Sequence, residues 1–104
     1  MAFTNATTRA EAIDLAASLN RYLAEIQVIL SQNKLEDISG KLTWIVRALS
    51  QFARDNKLNA AELAKVDQIK TKAEAFKASL GTMSPKSRKA VIDLLEREIK
   101  NLVR

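Results

Sequence analysis

Apolar residues recur along this chain at alternating spacings of three and four positions. This spacing places them on one stripe of an α-helix, because a helix turns once in about 3.6 residues. Four stretches show the pattern independently, at 12–30, 35–52, 66–80 and 92–102. The sequence therefore predicts four helices, at about 9–32, 34–56, 60–80 and 85–103.

The predicted helices are similar in length and are joined by only a few residues. Short connections favour antiparallel neighbours, and matched helices pack most simply side by side. We therefore expect an all-α protein, an antiparallel up-down-up-down four-helix bundle formed by a single domain at 1–104. Residues 1–7 precede the first pattern and are predicted to be a flexible N-terminal tail.

Polar residues mark the predicted helix ends. Three starts carry a capping residue followed three positions later by glutamate, namely Thr8 with Glu11, Asn33 with Glu36, and Asn59 with Glu62. Gly81 suits a left-handed position after the third helix, and Ser84 with Pro85 suits the start of the fourth. Gly40 leaves two alternatives, since it either kinks the second helix or follows a start at Ser39.

The chain contains no cysteine and no histidine. Their absence excludes disulfides, zinc sites built from these residues and catalytic triads that use histidine. The carboxylates lie off the apolar stripes, so they do not form a metal site in the core. A small metal-free helical enzyme would need basic side chains turned inward, and the pattern places aliphatic side chains there. We therefore expect no enzyme activity, no cofactor and no metal. The chain has no signal-peptide pattern and no apolar run of about 18 residues, which predicts a soluble, cytoplasmic protein without membrane contact.

Some apolar residues fall outside the core stripes and are candidates for partner binding. Val28, Trp44 and Leu94 lie off the stripes of their helices, and Tyr22 belongs to a second apolar row beside the first stripe. Tryptophan is enriched where protein interfaces gain most of their binding energy. The alternatives are that Tyr22 is buried in the core, and that Trp44 flanks the core or is covered by Phe3.

The excess of positive charge belongs to the second half of the chain. Residues 1–52 carry five basic and five acidic residues, whereas residues 53–104 carry twelve and seven, a net charge of +5. The candidates for binding an anion or nucleic acid are Lys70, Lys72, Lys77, Lys86, Arg88 and Lys89. The alternative is an ordinary solvated surface, since no nucleic-acid-binding motif accompanies these residues.

The predicted function is protein–protein binding by a small non-enzymatic bundle, as an adaptor, an inhibitor or regulator, or a chaperone-like protein. The partner is another protein, with an acidic surface or as a second copy in a homo-oligomer. The alternative is nucleic-acid binding through the basic region at 70–89, and a small helical enzyme comes third.

Overall fold

Four α-helices dominate the computed structural model, which describes residues 3–32 and 34–104. They are α1 (Ala6–Ile29), α2 (Leu35–Asp55), α3 (Ala60–Ser79) and α4 (Pro85–Leu102). A short 3-10 turn, Leu80–Thr82, follows α3 directly. The predicted all-α four-helix fold is confirmed, with each helix end within about three residues of its expected position.

The helices form a closed ring in chain order. Each packs against its neighbours in sequence, and α4 closes the ring against α1. The described part measures 41 × 19 × 18 Å, which is about one helix long and two helices wide. Neighbouring helices are therefore antiparallel, and one end of the bundle brings together the end of α1, the start of α2, the end of α3 and the start of α4.

The core consists of the predicted apolar stripes together with Phe3. Every stripe position is buried except Leu35, which is half-buried at the start of α2. The second row on α1, formed by Leu15, Tyr22 and Ile29, is half-buried against this core. The three-and-four spacing thus identifies the buried face of all four helices, because burying those stripes removes most of the apolar surface from water.

Two of the predicted helix starts are confirmed. Asn59 accepts a hydrogen bond from the Glu62 backbone, and the Glu62 carboxylate accepts one from the Asn59 backbone, which is a complete capping box. Ser84 caps α4, with its hydroxyl oxygen accepting from the Ser87 backbone N–H at 3.1 Å, and Pro85 is the first helical residue. The predicted cap at Asn33 lies outside the described residues.

The first helix begins earlier than expected. Asn5, rather than Thr8, is its N-cap and accepts from the backbone N–H groups of Thr7 and Thr8 at 2.9 and 3.1 Å. Thr8 is buried one turn inside the helix, where its hydroxyl donates to Asn56 Oδ1 at the end of α2. Both residue types cap helices well, so the local pattern alone does not distinguish the two starts.

Phe3 and Thr4, just before α1, contact the bundle, although the sequence predicts a flexible tail at 1–7; residues 1 and 2 lie outside the described residues. The Phe3 side chain is 0% exposed, and its ring meets the Phe52 ring edge-on with centroids 5.5 Å apart. The Arg9 guanidinium donates to the backbone carbonyls of Phe3 and Thr4, both at 3.1 Å. Phe3 therefore covers the end of the core near Phe52 and is not the residue that packs on Trp44.

The two glycines also behave differently from the expectations. Gly81 lies in the 3-10 turn and does not adopt the left-handed conformation predicted for it. α2 begins at Leu35 and continues unbroken through Gly40, so a start at Ser39 is wrong. Near both glycines a side chain is buried in the core, Leu80 beside Gly81 and Ile38 before Gly40. Burial of these side chains favours the observed helical conformation over the one predicted from the glycine.

Candidate functional site

Tyr22 and Trp44 form an aromatic pair on the side of the bundle where α1 meets α2. Their rings are stacked, with centroids 4.1 Å apart and planes inclined by 23°. Tyr22 is half-buried, while Trp44 is 37% exposed at the middle of the outer face of α2. The stack covers one face of the indole and leaves part of this large side chain in contact with solvent. We call the surface formed by Tyr22 and Trp44, with Lys41 and Val28 beside them, the aromatic face.

Lys41 lies beside the aromatic pair and contacts Tyr22. Its Nζ lies 5.5 Å from the centre of the Tyr22 ring and 3.3 Å from Glu25 Oε2 on α1. The cation is therefore attracted both to the ring and to the carboxylate. Because both groups are partly exposed, the ion pair contributes little to stability. The two contacts place Lys41 beside the Tyr22 ring.

Val28 lies further along the same side of the bundle. Its side chain is 70% exposed and borders a shallow depression with Glu25, Ile29, Asp37 and Lys41. This depression lies between α1 and α2, as does the Tyr22–Trp44 stack. Three of the four predicted partner-binding residues are therefore brought to one side of the bundle.

Leu94 lies elsewhere, although it is exposed as strongly as Trp44, at 38%. It precedes Glu98 by one turn of α4, and Glu98 pairs with Lys72 of α3. Leu94 is consequently on the side of α4 that borders α3, away from the aromatic face. A single exposed leucine is ordinary for a protein surface.

The six predicted anion-binding cations do not form one free cluster. Lys72 is paired with Glu98, and Lys89 pairs with Asp93 one turn later at 3.1 Å. Lys70 is half-buried, and Lys77 and Lys86 are exposed. Arg88 differs from all of these because its side chain is buried.

Arg88 connects the ends of three helices. It is 5% exposed, its Nε and Nη2 donate to the Leu80 carbonyl at 3.2 and 2.9 Å, and its Nη1 donates to the Leu30 carbonyl at 3.3 Å. Leu80 ends α3 and Leu30 ends α1, where unpaired carbonyls carry partial negative charge. Arg88 therefore fills a structural role, and its donors are not available to an external anion.

The sequence places Arg88 among six cations that are candidates for anion binding, whereas the structure buries its side chain. Side chains on a helix lean toward its N-terminus, so Arg88 extends from α4 toward the end of the bundle. The signal that identifies it is its spacing, since Arg88 precedes Ile92 by four positions and so lies on the buried stripe of α4.

A groove between α2 and α3 brings a basic residue of each helix together. Arg47 and Lys77 line it with the hydroxyl residues Ser39 and Thr43 and one acid, Glu74. Arg47 follows Trp44 by one turn on the outer face of α2, so the groove adjoins the aromatic face. Arg47 is not among the residues predicted to bind a partner, because its neighbours across the groove are set by the packing of α3 against α2.

No group of three or more potential metal ligands occurs within 3–32 and 34–104. Across the same ranges, every helix is too short or too polar to cross a membrane. Comparison of the chain with protein-family models, with curated proteins and with solved structures produced no match.

Proposed function

We propose that this protein is a small non-enzymatic bundle that acts by binding another protein through the aromatic face. The observation that carries the proposal is the Tyr22–Trp44 stack, in which the indole is 37% exposed. Aromatic anchors held in one orientation lose little conformational entropy on binding, and tryptophan is among the residues that most often dominate interface energetics. Val28 extends the apolar area beside the pair.

The alternative, nucleic-acid binding through the basic region at 70–89, receives less support. Arg88 is engaged with backbone carbonyls, and Lys72 and Lys89 are paired with carboxylates. Half of the candidate cations are thus engaged within the protein. Phosphate contacts gain free energy because protein cations displace the counterions that are condensed on the nucleic acid, and only three of the six candidate cations remain to do so.

The proposal is tested by cross-linking from two matched positions. Gly40 lies one turn before Trp44, and Ala90 lies one turn before Leu94; both are exposed and small. A side chain added at Gly40 meets nothing within 4 Å. A photoreactive amino acid placed at Gly40 should cross-link a partner protein in the cells that express the chain, whereas the same amino acid at Ala90 should not.

Specificity for the aromatic pair is checked by adding Trp44→Ala to the Gly40 probe. The cross-linked product should disappear, while Leu94→Ala should leave it unchanged. The two truncations remove side chains of nearly equal exposure from different sides of the bundle. Equal cross-linking from both probe positions, or a product that survives Trp44→Ala, would contradict the proposal. A product with the mass of two copies would identify the partner as the protein itself.

A further inference from the structure

The three residues before α1 cross one end of the bundle, and we call residues 3–5 the strap. The Phe3 ring closes the core against Phe52 near the end of α2. The Thr4 backbone N–H donates to Glu62 Oε2 at the start of α3, at 3.4 Å. The strap therefore connects the end of α2 with the start of α3.

Arg9 on α1 also contacts the strap. Its guanidinium Nε donates to the Phe3 carbonyl and its Nη2 donates to the Thr4 carbonyl, both at 3.1 Å. Hydrogen bonds from a charged donor are stronger than those between neutral groups. Two successive carbonyls of the strap are thus bound by one side chain, which keeps the backbone of the strap against the bundle.

The contact with α3 uses a carboxylate that already caps that helix. Glu62 is 6% exposed, and its Oε1 accepts from the Asn59 backbone N–H at 2.9 Å. The bond from Thr4 to Oε2, at 3.4 Å, is longer than the usual range of about 2.7–3.2 Å and is the weaker of the two. The capping box is complete without Thr4, so α3 keeps its start when the strap moves away.

Few contacts hold the strap, in comparison with any of the helices. Phe3 is its only buried residue, whereas Thr4 and Asn5 are exposed. The Asn5 side chain caps α1 through the backbone of Thr7 and Thr8, and these bonds involve neither Phe3 nor Thr4. Each helix, by contrast, buries at least five residues. Segments with few buried contacts open at a lower free energy than the rest of a fold.

We infer that the strap opens and closes over the end of the core as a local unit, while the four helices stay folded. In the open state the Phe3 ring leaves Phe52, which is 6% exposed in the closed state, and this aromatic ring of α2 becomes accessible. The hinge is Asn5, an extended residue directly before the helix, with φ −76° and ψ 128°. The inference does not depend on the proposed function, because Phe52 lies about two turns beyond Trp44 on α2.

The alternative is that the strap is a fixed part of the core and separates only when the whole bundle unfolds. Small single domains commonly unfold in one cooperative transition, in which all buried rings become exposed together. The chain provides an internal comparison, because its three phenylalanines are Phe3, Phe52 and Phe76. Phe76 is 3% exposed on the buried stripe of α3, near the end of that helix remote from the strap.

The test is fluorine NMR of the protein with fluorinated phenylalanine at all three positions, using saturation transfer to detect a minor state. Replacing each phenylalanine by tyrosine in turn assigns the signals. The Phe3 signal should exchange with a minor signal at the chemical shift of an exposed ring. The Phe52 signal should exchange at the same rate, because its ring loses the contact with Phe3. Phe76 should show no exchange with this rate and population.

Two matched arginine variants test what keeps the strap closed. Arg9→Met removes both hydrogen bonds to the strap carbonyls and should increase the open population by at least about fivefold. Arg21→Met removes an exposed arginine from the same helix and should leave the open population within about twofold of the wild type. Circular dichroism should show the same helix content for both variants, since opening the strap leaves the helices folded.

Three results would overturn the inference. Exchange at Phe3 and Phe76 with equal rates and populations would show that the strap separates only by unfolding of the whole bundle. A Phe3 signal without exchange, in the wild type and in Arg9→Met alike, would show that the strap is fixed. Equal open populations in Arg9→Met and Arg21→Met would contradict the role of Arg9. The comparison of Phe3 with Phe76 uses the wild-type arginines, so it tests the inference even where Arg9→Met fails to fold.

Discussion

The turn between α3 and α4 and the aromatic face of α1 and α2 use conspicuous residues in opposite ways. The turn region places Arg88 and Lys89 close together, but Arg88 is buried between helix ends and Lys89 is paired with Asp93. On the aromatic face, Trp44 is stacked on one side and exposed on the other. A cluster of charges in sequence is therefore not the same as a charged surface.

The largest effect is expected at Arg88. Arg88→Met would leave the Leu30 and Leu80 carbonyls without their guanidinium donors and lower the free energy of unfolding by about 2–4 kcal/mol. Lys89→Met, which removes a neighbouring exposed cation, should cost about 0.5 kcal/mol or less. Urea unfolding followed by circular dichroism measures both. Similar losses for the two variants would contradict the structural role of Arg88.

A second difference between the regions concerns the number of cations that are free to contact phosphate. Because few of the candidate cations are free, nucleic-acid binding should be weak, with a dissociation constant no tighter than about 10⁻⁶ M near physiological salt. Fluorescence anisotropy of a labelled duplex and a labelled single strand measures it. The variant Lys70→Glu with Lys77→Glu and Lys86→Glu lowers the net charge by six, from +5 to −1, and should remove this weak, non-specific binding. Tight binding that this variant abolishes would assign the function to the basic region instead.

The smallest effect is expected at Lys41. Lys41→Met removes the ion pair with Glu25 and the contact with the Tyr22 ring, and should cost about 0.5–1 kcal/mol, because both partners are partly exposed. The fluorescence of Trp44 should change, since its stacking partner loses the contact that orients it. Unchanged stability and unchanged fluorescence would show that Lys41 does not support the aromatic pair.

The sequence predicts the helices and the core well because both follow from local spacing. Burial of the stripes decides which face of each helix points inward, and capping residues at Asn59 and Ser84 mark two starts directly. The burial of Phe3 is not predictable from local spacing. It lies outside any periodic stretch, and its burial depends on the long-range position of Phe52.

The candidate surface was predictable only in part. Trp44 and Tyr22 stand out by residue type and by their offset from the stripes, but their stacking depends on the register between α1 and α2. The groove of Arg47 and Lys77 likewise depends on which helix packs beside α2. Such juxtapositions are set by tertiary packing, and the spacing within one helix carries no information about them.

The most direct test of protein binding through the aromatic face is the affinity of the partner captured from Gly40, measured by calorimetry for three proteins. Trp44→Ala should weaken binding by at least about tenfold, as expected for a central aromatic anchor, while its free energy of unfolding falls by only about 1–2 kcal/mol. Leu94→Ala, which truncates a side chain of equal exposure, should stay within about twofold of the wild type. Equal affinities for Trp44→Ala and the wild type would contradict the assignment of the binding site to the aromatic face.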